Sequence, residues 1–267
     1  MTMREWPPVS STGVVRLTAT TQRGTLLVTT RDEPIAPVCS PHVRLMGGRF
    51  THQMAVTQLL EGAHDCDESV PTVPRDAIPK RIAEHTAGRY FAARALLAAG
   101  HPLHTLPPVG VGERQAPIWP AGFIGSITHA GERVVAACAA SRGVFALGID
   151  VERIMLSETA IELRGSVCTE TELASLPGVG DRSRLALLLS LVFSAKESLF
   201  KALYPHVRRF FSFHDAEASA LDLSGRTMNL RLLQDLGGPF GCGVTAAVRF
   251  AVEPPYLLTA VELPAVG

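Results

Sequence analysis

Lysine is scarce in this chain of 267 residues. Of its 25 basic residues only Lys80, Lys196 and Lys201 are lysine, and the rest are arginine. Basic and acidic residues balance to a formal net charge of +0, and no tail of either sign is present. Nucleic-acid-binding proteins usually carry a basic surplus, so that class is disfavoured. No apolar run is long enough to cross a bilayer. The longest candidate, Leu185 to Phe193, is broken by Ser190 and followed by Lys196 and Glu197, so no membrane partner is expected. The opening residues, Met-Thr-Met-Arg-Glu-Trp-Pro-Pro, lack the apolar core of a secretory signal. Cysteine is sparse too: Cys39, Cys66, Cys138, Cys168 and Cys242 are scattered, with no C-x-x-C. An odd number at wide spacing suits a reduced, cytoplasmic chain better than a disulfide scaffold. What remains is 46% hydrophobic and 19% charged. That is an ordinary globular composition, with core enough for one large domain or two smaller ones.

Two stretches carry most of the chemistry. Gly148-Ile149-Asp150-Val151-Glu152 alternates like a strand. Residues i and i+2 share a face of a strand, so Asp150 and Glu152 stand side by side while Ile149 and Val151 face a core. Phe193-Ser194-Ala195-Lys196-Glu197-Ser198-Leu199-Phe200-Lys201-Ala202 reads as helix. Four residues make about one helical turn, which puts Glu197 and Lys201 on one face. Clustered acids beside an apolar run repel one another and are costly to desolvate. A hard divalent cation with oxygen ligands is the simplest compensation. A chain that avoids lysine puts two of its three around Glu197. Chance clustering is the bland reading. The functional one is that a compact ammonium, able to act as a point charge or a proton donor, is wanted there.

Val14 to Leu17 and Thr25 to Thr30 are weak strand signals, and Thr51 to Glu61 reads as a helix. Pro79 opens a helical stretch through Leu97, with Gly100 as its stop. Arg81 and Arg89 are two turns apart on it. Such a pair can clamp an anion, though a solvated basic face is the commoner fate. Gly125-Ser126-Ile127-Thr128-His129 stands at a loop–strand junction ahead of the strand Arg133 to Ala139. No G-x-S-x-G elbow is present, so Ser126 and His129 are not a convincing nucleophile and base. His129 could instead donate to a phosphate oxygen, or be structural. Residues 183–204 read as an apolar helix ended by Tyr204-Pro205. Four strands are expected beyond it: Ala216 to Leu223, Thr227 to Leu232, Gly243 to Phe250 and Tyr256 to Glu262. The order is an α+β pattern.

Four ordered blocks between about residues 78 and 215 resemble the 4′-phosphopantetheinyl transferases. They are Lys80-Arg81-x-x-Glu84-x-x-x-Gly88-Arg89, Trp119-Pro120-x-Gly122-x-x-Gly125-Ser126-Ile127-Thr128-His129, Gly148-Ile149-Asp150-x-Glu152 and Phe193-Ser194-Ala195-Lys196-Glu197-x-x-x-Lys201-Ala202. Within that family they are most similar to the monomeric group that includes the enterobactin- and surfactin-pathway enzymes. Any single block would be weak; the ordered set is specific. The resemblance implies an α+β pseudo-dimer of two similar α/β subdomains, residues 1–143 and 144–267, with the active site in the cleft between them. The first would hold the nucleotide side of coenzyme A, and the second would be catalytic.

The implied reaction moves the 4′-phosphopantetheine arm of coenzyme A onto a serine of an acyl, aryl or peptidyl carrier protein, releasing adenosine 3′,5′-bisphosphate. Siderophore, polyketide and nonribosomal peptide carriers all come into view. The implied cofactor is Mg²⁺, with Mn²⁺ as an alternative, held by Asp150, Glu152 and Glu197. Arg81 and Arg89 would bind the nucleotide end of coenzyme A, including its 3′-phosphate. His129 would contact phosphate with Ser126 and Thr128 beside it, and Arg114 is carried over as a further basic contact. Lys196 and Lys201 would stabilise the pyrophosphate, with Lys201 placed to protonate the leaving bisphosphate. Glu197 could also take the serine proton, with a metal-bound water as the rival base. Two rivals come from other classes. One is a Mg²⁺-dependent phosphodiesterase or nuclease, against which the neutral charge weighs. The other is a non-catalytic module that binds coenzyme A or carriers, against which three clustered acids weigh. Arg208, Arg209 and Phe210 to Phe213 are candidates for carrier docking, with core strand residues the alternative.

Overall fold

The computed structural model describes residues 13–21, 24–54, 64–65, 78–102 and 109–265. The chain forms two compact units, residues 1–35 with 42–141, and residues 36–41 with 142–267. The strands are β1 (Val14–Thr21), β2 (Gly24–Asp32), β3 (Arg44–Met54), β4 (His64–Asp65), β5 (Gly110–Val111), β6 (Pro117–Ile118), β7 (Phe123–Ala130), β8 (Arg133–Ala140), β9 (Val144–Arg153), β10 (Ala216–Asp222), β11 (Thr227–Leu232), β12 (Thr245–Glu253) and β13 (Tyr256–Pro264). The helices are α1 (Pro79–Ala98), α2 (Ser157–Val167), α3 (Glu170–Ser175) and α4 (Arg182–Val207). Each unit is a sheet carrying one long helix, which gives the α+β class. Among the described residues no helix is long and apolar enough to cross a membrane.

In the first unit the sheet order is β4-β1-β2-β3-β8-β7. Helix α1 starts with Pro at its first position, where a missing N–H costs nothing, and stops at Gly100 in a left-handed conformation. Tyr90, Phe91 and Leu96 seal it against Leu17, Leu26, Val28, Val134 and Ala136, all at most 1% exposed. Thr51–Met54, expected in a helix, instead extend β3. Thr51 pairs with Thr29 and Met54 with Leu26, so partner strands override local preference. The rest of that expected helix lies outside the described residues. Gly125 to His129 lie inside β7 rather than at a junction, paired from Gly125↔Cys138 to His129↔Val134.

In the second unit the sheet order is β10-β11-β12-β13-β9, antiparallel throughout. Helix α4 is capped by Asp181, whose carboxylate accepts from the Ser183 and Arg184 amides. It lies on the sheet through Leu188, Leu189, Leu191, Leu199 and Leu203, each at most 1% exposed. It also runs past Tyr204-Pro205 to Val207. Proline keeps a helical φ and forfeits only its own N–H bond in the last turn, so it does not end the helix there. Arg208 closes it in a left-handed conformation, donating its N–H to the Tyr204 carbonyl. The segment Ala36–Pro41 belongs to this unit. The Ser40 amide and hydroxyl donate to the Glu262 carboxylate at 2.8 and 2.5 Å.

Candidate active site

The second unit brings the acidic strand and the lysine-bearing helix together by a close backbone approach. A Cβ on Gly148 would meet the Ser198 carbonyl oxygen at 2.0 Å and the Ala202 amide nitrogen at 2.5 Å. Only glycine lets α4 lie so near β9. A chain of hydroxyls then fixes the register. Ser198 and Thr259 oxygens are 2.7 Å apart, Thr259 and Ser194 oxygens 2.9 Å apart, and Ser194 donates to the Asp150 carbonyl at 3.1 Å. All three hydroxyl residues are fully buried. In an apolar interior a satisfied polar chain is rigid, because each broken link would leave a buried polar atom unmet.

This register sets the charges. Lys201 Nζ donates to Asp150 Oδ1 at 2.5 Å. Asp150 is buried, while Glu152, Glu197 and Lys201 are half-buried. The Glu152 carboxyl is pushed up to about 7 by burial and by the Asp150 charge, with Lys201 opposing and Glu197 adding. Burial also raises Glu197; Lys201 pulls against that and Asp150 adds to it. Three carboxyl groups therefore share one electrostatic neighbourhood with one ammonium. Among the described residues no three His, Cys, Asp or Glu side chains stand gathered as a metal-ligating cluster. The donor set nevertheless fits a hard divalent cation. It is all oxygen, and at Glu152 burial first and the Asp150 charge second make an uncompensated carboxylate costly, a cost that a bound cation would relieve.

Lys196 has a different fate. Its Nζ donates to the Val167 carbonyl and to Glu172 Oε2, both at 2.8 Å, and its side chain is 2% exposed. Glu172 in turn accepts from the Ala218 amide at 2.6 Å and forms a capping box with Thr169. Lys196 was expected at the pyrophosphate; the structure places its ammonium in this buried network, while the residue also lines a cavity beside Glu197. Its ammonium ties α4 to the end of α2, to α3 and to β10. The cavity has a volume of about 330 Å³, and its lining includes Phe200, Phe210, Phe211, Phe213 and His214.

The first unit holds the other expected residues. Arg81 is exposed and its Nη1 lies 3.2 Å from His129 Nε2. Glu84 sits beneath the pair, 3.6 Å from Arg81 and 3.8 Å from His129 Nδ1. Arg89 is 5% exposed, and its Nη1 is buried with no hydrogen bond. Burial lowers its pKa to about 10. An arginine so placed is primed for an anion. Ser126 and Thr128 are buried, but β alternation puts them on the sheet face opposite His129. They do not stand beside it. Arg114 lies in a single 3₁₀ turn, Glu113–Gln115, and its side chain is outside those described. Sequence reasoning missed Ser194, Ser198, Thr259 and Glu172. Serines one turn apart in an apolar helix were the available signal for the first two.

The model of the 4′-phosphopantetheinyl transferase N-terminal domain matches residues 68–139, and that of the 4′-phosphopantetheinyl transferase superfamily matches residues 146–244. The chain belongs to this superfamily. It is 31% identical over 198 residues to 4′-phosphopantetheinyl transferase Npt of Nocardia iowensis, a match spanning 69% of this chain and 83% of that protein. It is 36% identical over 156 residues to enterobactin synthase component D of Salmonella typhimurium, spanning 58% of this chain and 62% of that protein's length. A crystal structure of holo-ACP-synthase from Plasmodium yoelii is 18% identical, covering 46% of this chain and 97% of that one at a TM-score of 0.34.

Proposed function

We propose that this protein transfers the 4′-phosphopantetheine group of coenzyme A to a serine hydroxyl of an acyl, aryl or peptidyl carrier protein and releases adenosine 3′,5′-bisphosphate. The observation that carries the proposal is the pairing of Lys201 with Asp150 beside two half-buried carboxyl groups, Glu152 and Glu197, that burial raises first of all. Membership of the superfamily supports it.

Each residue has a task in this reaction. Glu197, on the α4 face it shares with Lys201, takes the proton from the serine oxygen. That oxygen bonds to the phosphorus bearing the pantetheine arm, and the bond from this phosphorus to the bridging oxygen breaks. Lys201 stabilises the charge growing on that oxygen and gives it a proton. Asp150, Glu152 and Glu197 would hold the divalent cation, Mg²⁺ or Mn²⁺, which supplies neutralisation of the pyrophosphate charge. Arg89, with its unmet buried donor, and Arg81 bind the 3′-phosphate end of the nucleotide, and His129 adds a phosphate contact. The phenylalanine-lined cavity beside Glu197 takes the gem-dimethyl part of the pantetheine arm, whose amides and hydroxyl keep polar partners.

The test is to incubate the protein with coenzyme A, Mg²⁺ and an apo carrier, then weigh the carrier by mass spectrometry. Gain of the phosphopantetheine mass only with Mg²⁺ supports the proposal. Coenzyme A cleaved with no gain on any carrier would turn it into a phosphodiesterase. Carriers of siderophore assembly come first, because one matched relative is named for enterobactin synthase.

A further inference from the structure

Two neighbouring residues on α1 divide the work of holding its cations. Glu84 lies within 4 Å of Lys80, Arg81 and His129. The next residue, His85, serves Arg89 one turn further on. Arg89 Nε donates to His85 Nε2 at 3.4 Å. Among the described residues no acid pairs with Arg89, although its guanidinium is nearly sealed and its Nη1 has no hydrogen bond.

We infer that His85 is a positioning residue, a neutral acceptor that orients the Arg89 guanidinium while leaving its charge and its Nη1 donor for a phosphate monoester. In the proposed reaction, on which this inference rests, that ester is the 3′-phosphate of coenzyme A. The neutrality is what matters. A carboxylate at position 85 would close a charge-assisted pair with Arg89 and compete with the ligand. A phenyl or alkyl group would remove the acceptor, leaving a second buried N–H unmet and the guanidinium free to turn. An imidazole does neither, provided it stays uncharged. Burial, Arg89 and Arg81 together hold its pKa down at about 4, so it is neutral at ordinary pH. Arg89 needs such support because burial alone already depresses its pKa.

The test compares wild type with His85→Gln, His85→Phe, His85→Glu and Arg89→Ala. Affinities for coenzyme A and dephospho-coenzyme A are measured by calorimetry on the full chain, with melting temperatures beside them. Glutamine keeps a neutral acceptor and should bind coenzyme A within about twofold of wild type. Phenylalanine should weaken coenzyme A about tenfold and leave dephospho-coenzyme A unchanged. Glutamate should weaken coenzyme A at least as much while melting higher than the phenylalanine variant, because it supplies Arg89 with a counter-charge. If Arg89→Ala loses its preference for coenzyme A over dephospho-coenzyme A but the phenylalanine and glutamate variants keep theirs, the role of His85 is overturned. Equal losses toward both ligands would reduce His85 to a structural residue, which also overturns it. If Arg89→Ala itself keeps the preference, the assignment of Arg89 to the 3′-phosphate is what fails.

Discussion

Lys196 Nζ stands 2.8 Å from Glu172 Oε2, and neither side chain is more than 2% exposed. Five residues on, Lys201 pairs with Asp150 in a half-buried setting. Two lysines of one helix thus do different work: one closes a buried structural network, the other remains among the acids of the site. Lys196→Met should leave Glu172 as an uncompensated buried charge and cost about 3 kcal/mol of unfolding free energy. Pairing it with Glu172→Gln, which keeps an acceptor for the Ala218 amide, should recover part of that loss. Urea melts of both variants decide the matter, and a Lys196→Met protein as stable as wild type would contradict the network.

Glu197→Gln removes a base without changing volume. Carrier modification should fall by roughly 10² to 10⁴ if the carboxylate takes the serine proton. Circular dichroism and melting temperature should stay near wild type. Mass spectrometry of the carrier over time is the measurement, and an unaltered rate would remove Glu197 from the reaction.

The Glu152 carboxyl gives the site a pH signature. Its folded pKa, about 7, lies above the ordinary 4.5, so the folded protein holds this proton more tightly than the unfolded chain. The associated stability is complete below about 4.5 and is lost as pH rises through about 7. In the absence of divalent metal, Glu152→Gln should therefore melt higher than wild type at pH 8, and the two should converge in acid. Mg²⁺ should raise the melting temperature of wild type and do so less for the variant. Melts with EDTA and with Mg²⁺ check both signs.

Gly148→Ala should disrupt the site through packing alone. The added Cβ would press on the Ser198 carbonyl and the Ala202 amide, both backbone atoms that cannot swing aside. A loss of about 3 kcal/mol or more is expected, at or beyond the upper end of overpacking costs. A Gly148→Ala protein with unchanged melting and activity would show that α4 does not depend on this contact.

His85 makes the first unit sensitive to acid. Its folded pKa of about 4 lies below the ordinary 6.5, so the unfolded chain takes up this proton first. Stability should fall as pH drops from about 6.5 to about 4, and His85→Gln should flatten that slope. Denaturant midpoints across this range test it.

The sequence by itself settled a good deal. Strand alternation put Asp150 and Glu152 on one face, and β9 carries them so. Helical spacing put Glu197 and Lys201 together, and α4 carries them. The strands beyond residue 215 were also legible, because alternation and turn residues are local signals. Other features depended on partners distant in the chain. Thr51–Met54 became strand because β2 stood alongside. Ser126 and Thr128 parted from His129 once β7 acquired its ladder to β8, since a paired strand sends neighbours to opposite faces. Lys196 and Lys201 look equivalent along the chain, and only packing separated them. Lys196 meets Glu172, 24 residues away, while Lys201 meets Asp150, 51 residues away. The pairing of Asp150 with Glu152 and of Glu197 with Lys201 was therefore a property of the sequence. Which ammonium remained among the acids was decided where α4 settled onto β9, through a glycine with no side chain to hold them apart.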